Sequence, residues 1–102
     1  EAVFKEGRRS ADQLFTVLYR PSGLDHARLG MAASAKRIRT AVGRNRIRRL
    51  IRESFRQGAI RQQGLDIVVL VKEPAVAAGN AALTASLAAH WSRLQRATAA
   101  RA

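Results

Sequence analysis

Residues 44–57 read Arg44-Asn45-Arg46-Ile47-Arg48-Arg49-Leu50-Ile51-Arg52-Glu53-Ser54-Phe55-Arg56-Gln57. Ile47, Leu50, Ile51 and Phe55 fall at i, i+3, i+4 and i+8, which puts them on one stripe of an α-helix. Arg44, Arg48, Arg49, Arg52 and Arg56 are left on the opposite side, with only Glu53 to offset them. Such a face repels itself unless something anionic covers it. Arginine, rather than lysine, suits two-pronged phosphate contacts and stacking on bases. Arg44, Arg48 and Arg52 are spaced by four, so they project along one edge and can bridge successive phosphates of a folded strand. Asn45 has two readings that spacing leaves level. It caps the helix near Gly43, or its amide meets base edges and 2′-hydroxyls.

The charge around this helix is concentrated. The chain has 102 residues, 19 Lys and Arg against 7 Asp and Glu, and a formal charge of +12. Residues 35–61 hold ten cations and one acid, while the flanks carry only +1 and +2. The apolar fraction is 47%, enough to fold, so this is no disordered basic tail. The absence of cysteine excludes a disulfide scaffold, a thiolate zinc site and a cysteine nucleophile. No apolar run approaches the roughly 20 residues that span a bilayer, and no signal-peptide pattern opens the chain. Residues 1–102 therefore read as a single intracellular polyanion-binding domain; nucleic acid is the expected anion ahead of an acidic membrane surface, so no membrane partner is expected. No initiator methionine is present, which places the natural start upstream of Glu1.

Upstream of the helix, residues 1–6 read as the end of a helix closed by Gly7, with Val3 and Phe4 as its apolar contacts. Gln13 to Arg20 reads as a strand, rich in β-branched and aromatic residues. Its alternation puts Phe15, Val17 and Tyr19 on one face and Leu14, Thr16 and Leu18 on the other. Pro21-Ser22-Gly23 is a turn, and His26 to Ala33 a second, antiparallel strand in which Gly30 suggests a bulge or close backbone approach. Residues 34–43 form a basic connector, and the helix is expected from Arg44 to Gln57. Downstream, Leu65 to Val71 is an almost continuous apolar run, the mark of a strand buried on both faces. Asn80 is the expected N-cap of a last helix, along which Leu83, Leu87, Trp91 and Leu94 repeat. The order is helix, strand, strand, helix, strand, helix, an α+β two-layer sandwich.

The residues offer little for bond-breaking. A self-sufficient nuclease needs an acid/base pair or a carboxylate cluster for metal. The seven acids are scattered without metal-ligand spacing, so no catalytic and no metal-binding residue is expected. His26 and His90 have no evident carboxylate partner, and no serine has a triad context. Phosphate-cradling glycine loops are absent.

The stretch Arg44 to Arg56 closely resembles the signature helix of the bacterial ribonuclease P protein component. Arg28-Leu29-Gly30-Met31 and Ala35-Lys36-Arg37 resemble that family's second strand and its basic approach to the helix. Phe4 to Gly7, the Asp66 to Val71 strand and the Leu87 to Leu94 helix extend the likeness, in order, over almost the whole chain. The resemblance implies a ribosomal-protein-like fold with a left-handed βαβ crossover, against the usual right-handed rule. It implies a cytoplasmic accessory protein for a catalytic RNA that removes the 5′ leader of precursor tRNA, with magnesium held mainly by the RNA subunit. Arg44, Asn45, Arg46, Arg48, Arg49 and Arg52 would then face the ribonuclease P RNA, and Lys36 and Arg37 would extend that surface. Phe4, with a strand residue such as Phe15 or Leu18, would line the leader cleft, where single-stranded RNA stacks on aromatics.

Two departures stand out. Ala35-Lys36 replaces the paired lysines common before the helix, with Arg37 and Arg39 close by. A further aromatic of the family's first helix would lie before Glu1. A ribosomal structural protein shares the basicity and the α+β form, and only the Arg44 to Arg56 motif separates the two. A DNA regulator is disfavoured because strands, not a second short helix, precede Gly43.

Overall fold

A strand with one buried face shows it by alternation, and Phe15–Pro21 does so in the computed structural model, which describes residues 8–32 and 40–101. Phe15, Val17 and Tyr19 are buried, while Thr16, Leu18 and Arg20 on the other face are half-buried. This strand, β2, follows β1 (Arg8–Ala11) and precedes β3 (Arg28–Ala32) and β4 (Leu65–Val71). Two helices pack on the sheet, α1 (Ala41–Gln57) and α2 (Asn80–Arg101). The result is an α+β fold with a four-stranded mixed sheet in the order β1-β2-β4-β3. The expected Glu1–Glu6 helix and its Gly7 cap lie outside the described residues, as does most of the basic connector.

The sheet departs from the expected layout in three ways. First, β1 pairs antiparallel with β2 through Arg8–Tyr19, Arg9–Leu18, Ser10–Val17 and Ala11–Thr16, although Arg-Arg-Ser-Ala carries no apolar pattern. Second, β3 runs antiparallel to β2 but does not pair with it. Strand β4 lies between them, antiparallel to β2 and parallel to β3, so β3-α1-β4 forms a crossover. The register at Gly30 is regular, with no bulge. Third, β4 is not buried equally on both sides. Leu65, Ile67, Val69 and Val71 face the helices and are buried, whereas Val68 and Leu70 on the other face are half-buried.

The core lies between one sheet face and the two helices. Ile47 and Ile51 of α1 meet Leu83, Leu87, Trp91 and Leu94 of α2 over Phe15, Val17, Ile67 and Val69. Leu50 and Phe55 sit at its margin. Phe55 packs edge-on against Trp91, with ring centres 6.1 Å apart, and the Trp91 indole N–H donates to Ser54 Oγ at 2.8 Å. Helix α1 starts three residues earlier than expected, because Thr40 is its N-cap and accepts from the Gly43 N–H at 3.0 Å. Asn45 is therefore not the cap. Gly23 takes φ +78° in the β2–β3 turn, a conformation that glycine adopts without strain.

Candidate nucleic-acid interface

With Ile47 and Ile51 turned to the core, the far side of α1 is left to its polar residues. Asn45, Arg48, Arg49, Arg52, Glu53 and Arg56 line a groove of 380 Å³ along that side. No acid lies in the first turn of α1. Among the described residues Arg48, Arg49, Arg52 and Arg56 have no hydrogen-bonded or ion-paired partner. Four guanidinium groups beside a single carboxylate concentrate positive potential, and their forked donors match phosphate oxygens. Asn45, exposed in the same groove, presents a donor and an acceptor to whatever lies there.

The expected row of arginines is divided by the fold. Arg44 is half-buried and lies outside the lining of the groove. Arg46 is turned to the other side. Its Nε donates to Asn80 Oδ1 at 2.8 Å and its Nη2 to the Ala78 carbonyl at 2.6 Å, tying α1 to the start of α2. Asn80, expected as the N-cap of α2, is instead its first residue, and its side chain accepts from Arg46. Arg56, which helical spacing placed on the basic side, joins the groove in place of Arg44 and Arg46. Lys36 and Arg37 lie outside the described residues.

For the second expected surface, the leader cleft, the alternation of β2 separates the two strand residues. Phe15 is fully buried on the helix side, where its ring meets His90 edge-on at 6.5 Å. It cannot line an open cleft, because the helices that supply the core cover it. Leu18 is on the opposite face, across from Arg9 and Val68. There the sheet is half-exposed, and Arg20, Arg28, Gly30, Asp66 and Val68 border a shallow groove of 270 Å³. Arg28 holds Asp66 with both prongs, at 2.7 and 2.9 Å, and the Arg20 Nε lies 3.7 Å away. The hydrogen bonds from Arg28 keep the Asp66 carboxyl below the usual range, against the effect of burial. Phe4 lies outside the described residues.

One polar cluster was not foreseen. His90 is fully buried, and its partner carboxylate is Asp12, with Nε2 3.2 Å from Oδ2 though out of line for a hydrogen bond. Nδ1 is 2.7 Å from Ser10 Oγ, which accepts from Arg93 at 3.2 Å. Asp12 also accepts from the Ser86 hydroxyl and from the N–H groups of Leu14 and Phe15. The donors are consistent when the neutral ring carries its proton on Nε2 and the Ser10 hydroxyl donates to Nδ1. The ring is enclosed between α2 and the β1–β2 corner, so the cluster joins these elements. Its one local signal was Asp12 ahead of a strand, a residue type that accepts from N–H groups two and three positions on.

The described residues bring together no group of three or more His, Asp or Glu side chains able to hold a metal ion. No helix among them is long and apolar enough to cross a membrane.

Residues 1–95 match the family model described as Ribonuclease P. The ribonuclease P protein component of Methylococcus capsulatus is 48% identical over 94 residues, covering 92% of this chain and 73% of the relative. That of Aliivibrio fischeri is 42% identical, covering 92% and 80%. Among solved structures, the RNase P protein from Thermotoga maritima in complex with 1-(4-fluorophenyl)-2-thiourea is similar at TM-score 0.82 and 31% identity, over 90% of each chain. The Staphylococcus aureus RNase P protein has TM-score 0.79 and 32% identity, covering 91% of this chain and 84% of that one.

Proposed function

The chain belongs to the ribonuclease P protein family, and from that premise we propose that it holds the catalytic ribonuclease P RNA and the 5′ leader of precursor tRNA while the RNA cuts the leader away. The observation that carries this reading is the groove on α1, where Arg48, Arg49, Arg52 and Arg56 have no partner among the described residues and stand beside Asn45. Unpaired arginines at one- and four-residue steps are suited to a polyanion that follows the helix. In this proposal Arg44 extends the groove at its N-terminal end and Arg46 acts mainly as a clamp on α2. Lys36 and Arg37 extend the RNA surface from the connector, as the family resemblance implies.

The leader is assigned to the open face of the sheet. Leu18, Val68 and Gly30 give it an apolar floor, with Arg9 at one side and Arg28 at the other. The family resemblance adds Phe4 to this proposal as a stacking partner for an unpaired base. Magnesium is left to the RNA subunit. Asp12 and Asp66 are already engaged by Ser86 and Arg28, so the protein's part is binding and orientation.

The test is cleavage of a precursor tRNA with a 5′ leader at low magnesium, by the protein alone, by a bacterial ribonuclease P RNA alone and by both together. Activity confined to the mixture is the expected result. Cleavage by the protein alone would place the chemistry in the protein, and no stimulation would return the ribosomal reading. In parallel, Arg48→Ala, Arg49→Ala and Arg52→Ala combined should lower the salt slope of RNA binding by about 2–3, at roughly 0.7–0.9 for each phosphate no longer neutralised. An unchanged slope removes α1 from the interface.

A further inference from the structure

A second groove, of 430 Å³, runs between α1 and the outermost strand β3, with Leu29, Met31 and Phe55 as its apolar lining and Arg52 and Arg56 along one wall. We infer that this groove seats one unpaired nucleobase of the RNA bound along α1, with the flanking phosphates on Arg52 and Arg56. The inference rests on the RNA-binding reading above and goes beyond it by naming a base-specific seat.

Three observations carry it. Arg52 and Arg56 line this groove and the outer groove of α1 as well, so the two grooves share one ridge. A strand lying on the outer face reaches the second groove by turning one base over that ridge, without leaving the cations. The volume lies at the lower end of the range for small-molecule pockets, and its lining is the kind that takes a flat ring, a thioether and an aromatic flanked by charge. The Phe55 ring is already held edge-on against Trp91, so little ordering is required when a base packs on it.

Among the described residues, strand β3 is also an edge strand, bonded to β4 alone. A peptide adding to that edge would satisfy its backbone, but it would have to supply acids for both arginines. RNA brings an apolar ring and its anions in one repeating unit, and continuity with the outer groove favours it.

Met31 is the sole methionine of the chain, so a methionine-methyl-labelled sample gives one signal inside the groove. The full chain is titrated with a short oligoadenylate, an abasic ribose-phosphate oligomer of equal length, and inorganic phosphate. The expected result is a saturable upfield shift of the Met31 methyl with oligoadenylate only. Phe55→Leu, checked for folding by Trp91 fluorescence, should weaken oligoadenylate binding about 5-fold or more through loss of stacking. Arg56→Gln should weaken both oligomers and leave the final Met31 shift intact. A shift produced equally by phosphate or the abasic oligomer would make this a plain anion site. An unmoved Met31 at saturating oligoadenylate, or displacement of the oligomer by an acidic strand-forming peptide, would overturn the seat. Ribonuclease P RNA binding, measured on the same samples, separates that failure from failure of the wider reading.

Discussion

Replacing Asp12 with asparagine tests the buried polar cluster that joins β1, β2 and α2. Burial works against ionisation of this carboxyl, but the Ser86 hydroxyl, the N–H groups of Phe15 and Leu14 and the nearby His90 outweigh it. They hold it at about 2, below the ordinary 3.8. A carboxyl depressed by folding adds stability that is complete above 3.8 and is lost as pH falls toward about 2. The difference amounts to about 2 kcal/mol, and the 28% exposure of the Asp12 side chain trims it to about 1–2 kcal/mol. His90 acts in a higher window. Burial pushes its imidazole below 6.5, against the pull of Asp12, so its share is present above 6.5 and is lost as pH falls through the folded value. Urea unfolding followed by Trp91, the only tryptophan, measures both at a series of pH values. Asp12→Asn should lower stability by about 1–2 kcal/mol near neutral pH, and its deficit should close as the parent carboxyl protonates. A deficit that stays constant down to about pH 2, or no deficit at all, would refute the reasoning.

Other changes separate packing from binding. Gly64→Ala should cost about 2–3 kcal/mol, because the added Cβ would lie 2.2 Å from the Leu24 carbonyl oxygen and backbone must move; thermal unfolding checks it. Phe15→Ala should cost about 3–5 kcal/mol as a fully buried aromatic, whereas Phe55→Ala at the core margin should cost about 2 kcal/mol, so equal losses in urea would contradict their burial. Arg46→Ala should lower stability by about 1 kcal/mol by removing the bonds to Asn80 and Ala78, yet leave the salt slope of RNA binding close to the parent's, which a titration at several salt concentrations decides.

What the sequence disclosed was whatever repeats within a few residues. The stripe Ile47, Leu50, Ile51, Phe55 located α1 because a helix face recurs every three or four positions, and β2 alternated because a strand face recurs every two. The basic groove was legible for the same reason, since the residues left over from an apolar stripe form the outer face. Partner choice has no such period. Nothing near Arg28 says that β4 will enter between β2 and β3, and Arg8–Ala11 becomes a strand because the edge of β2 needs backbone partners. The Ser10–His90 bond joins positions 80 apart. Arg46 and Arg48 look alike in sequence, two positions apart on one helix. The first faces Asn80 and the Ala78 carbonyl and becomes a clamp, and the second faces solvent and remains available to an anion. Which cations a basic helix leaves available to an anion is therefore decided by where the rest of the chain places its carbonyls and amides, so counting arginines overstates the set without partners among the described residues, and locating those partners corrects it.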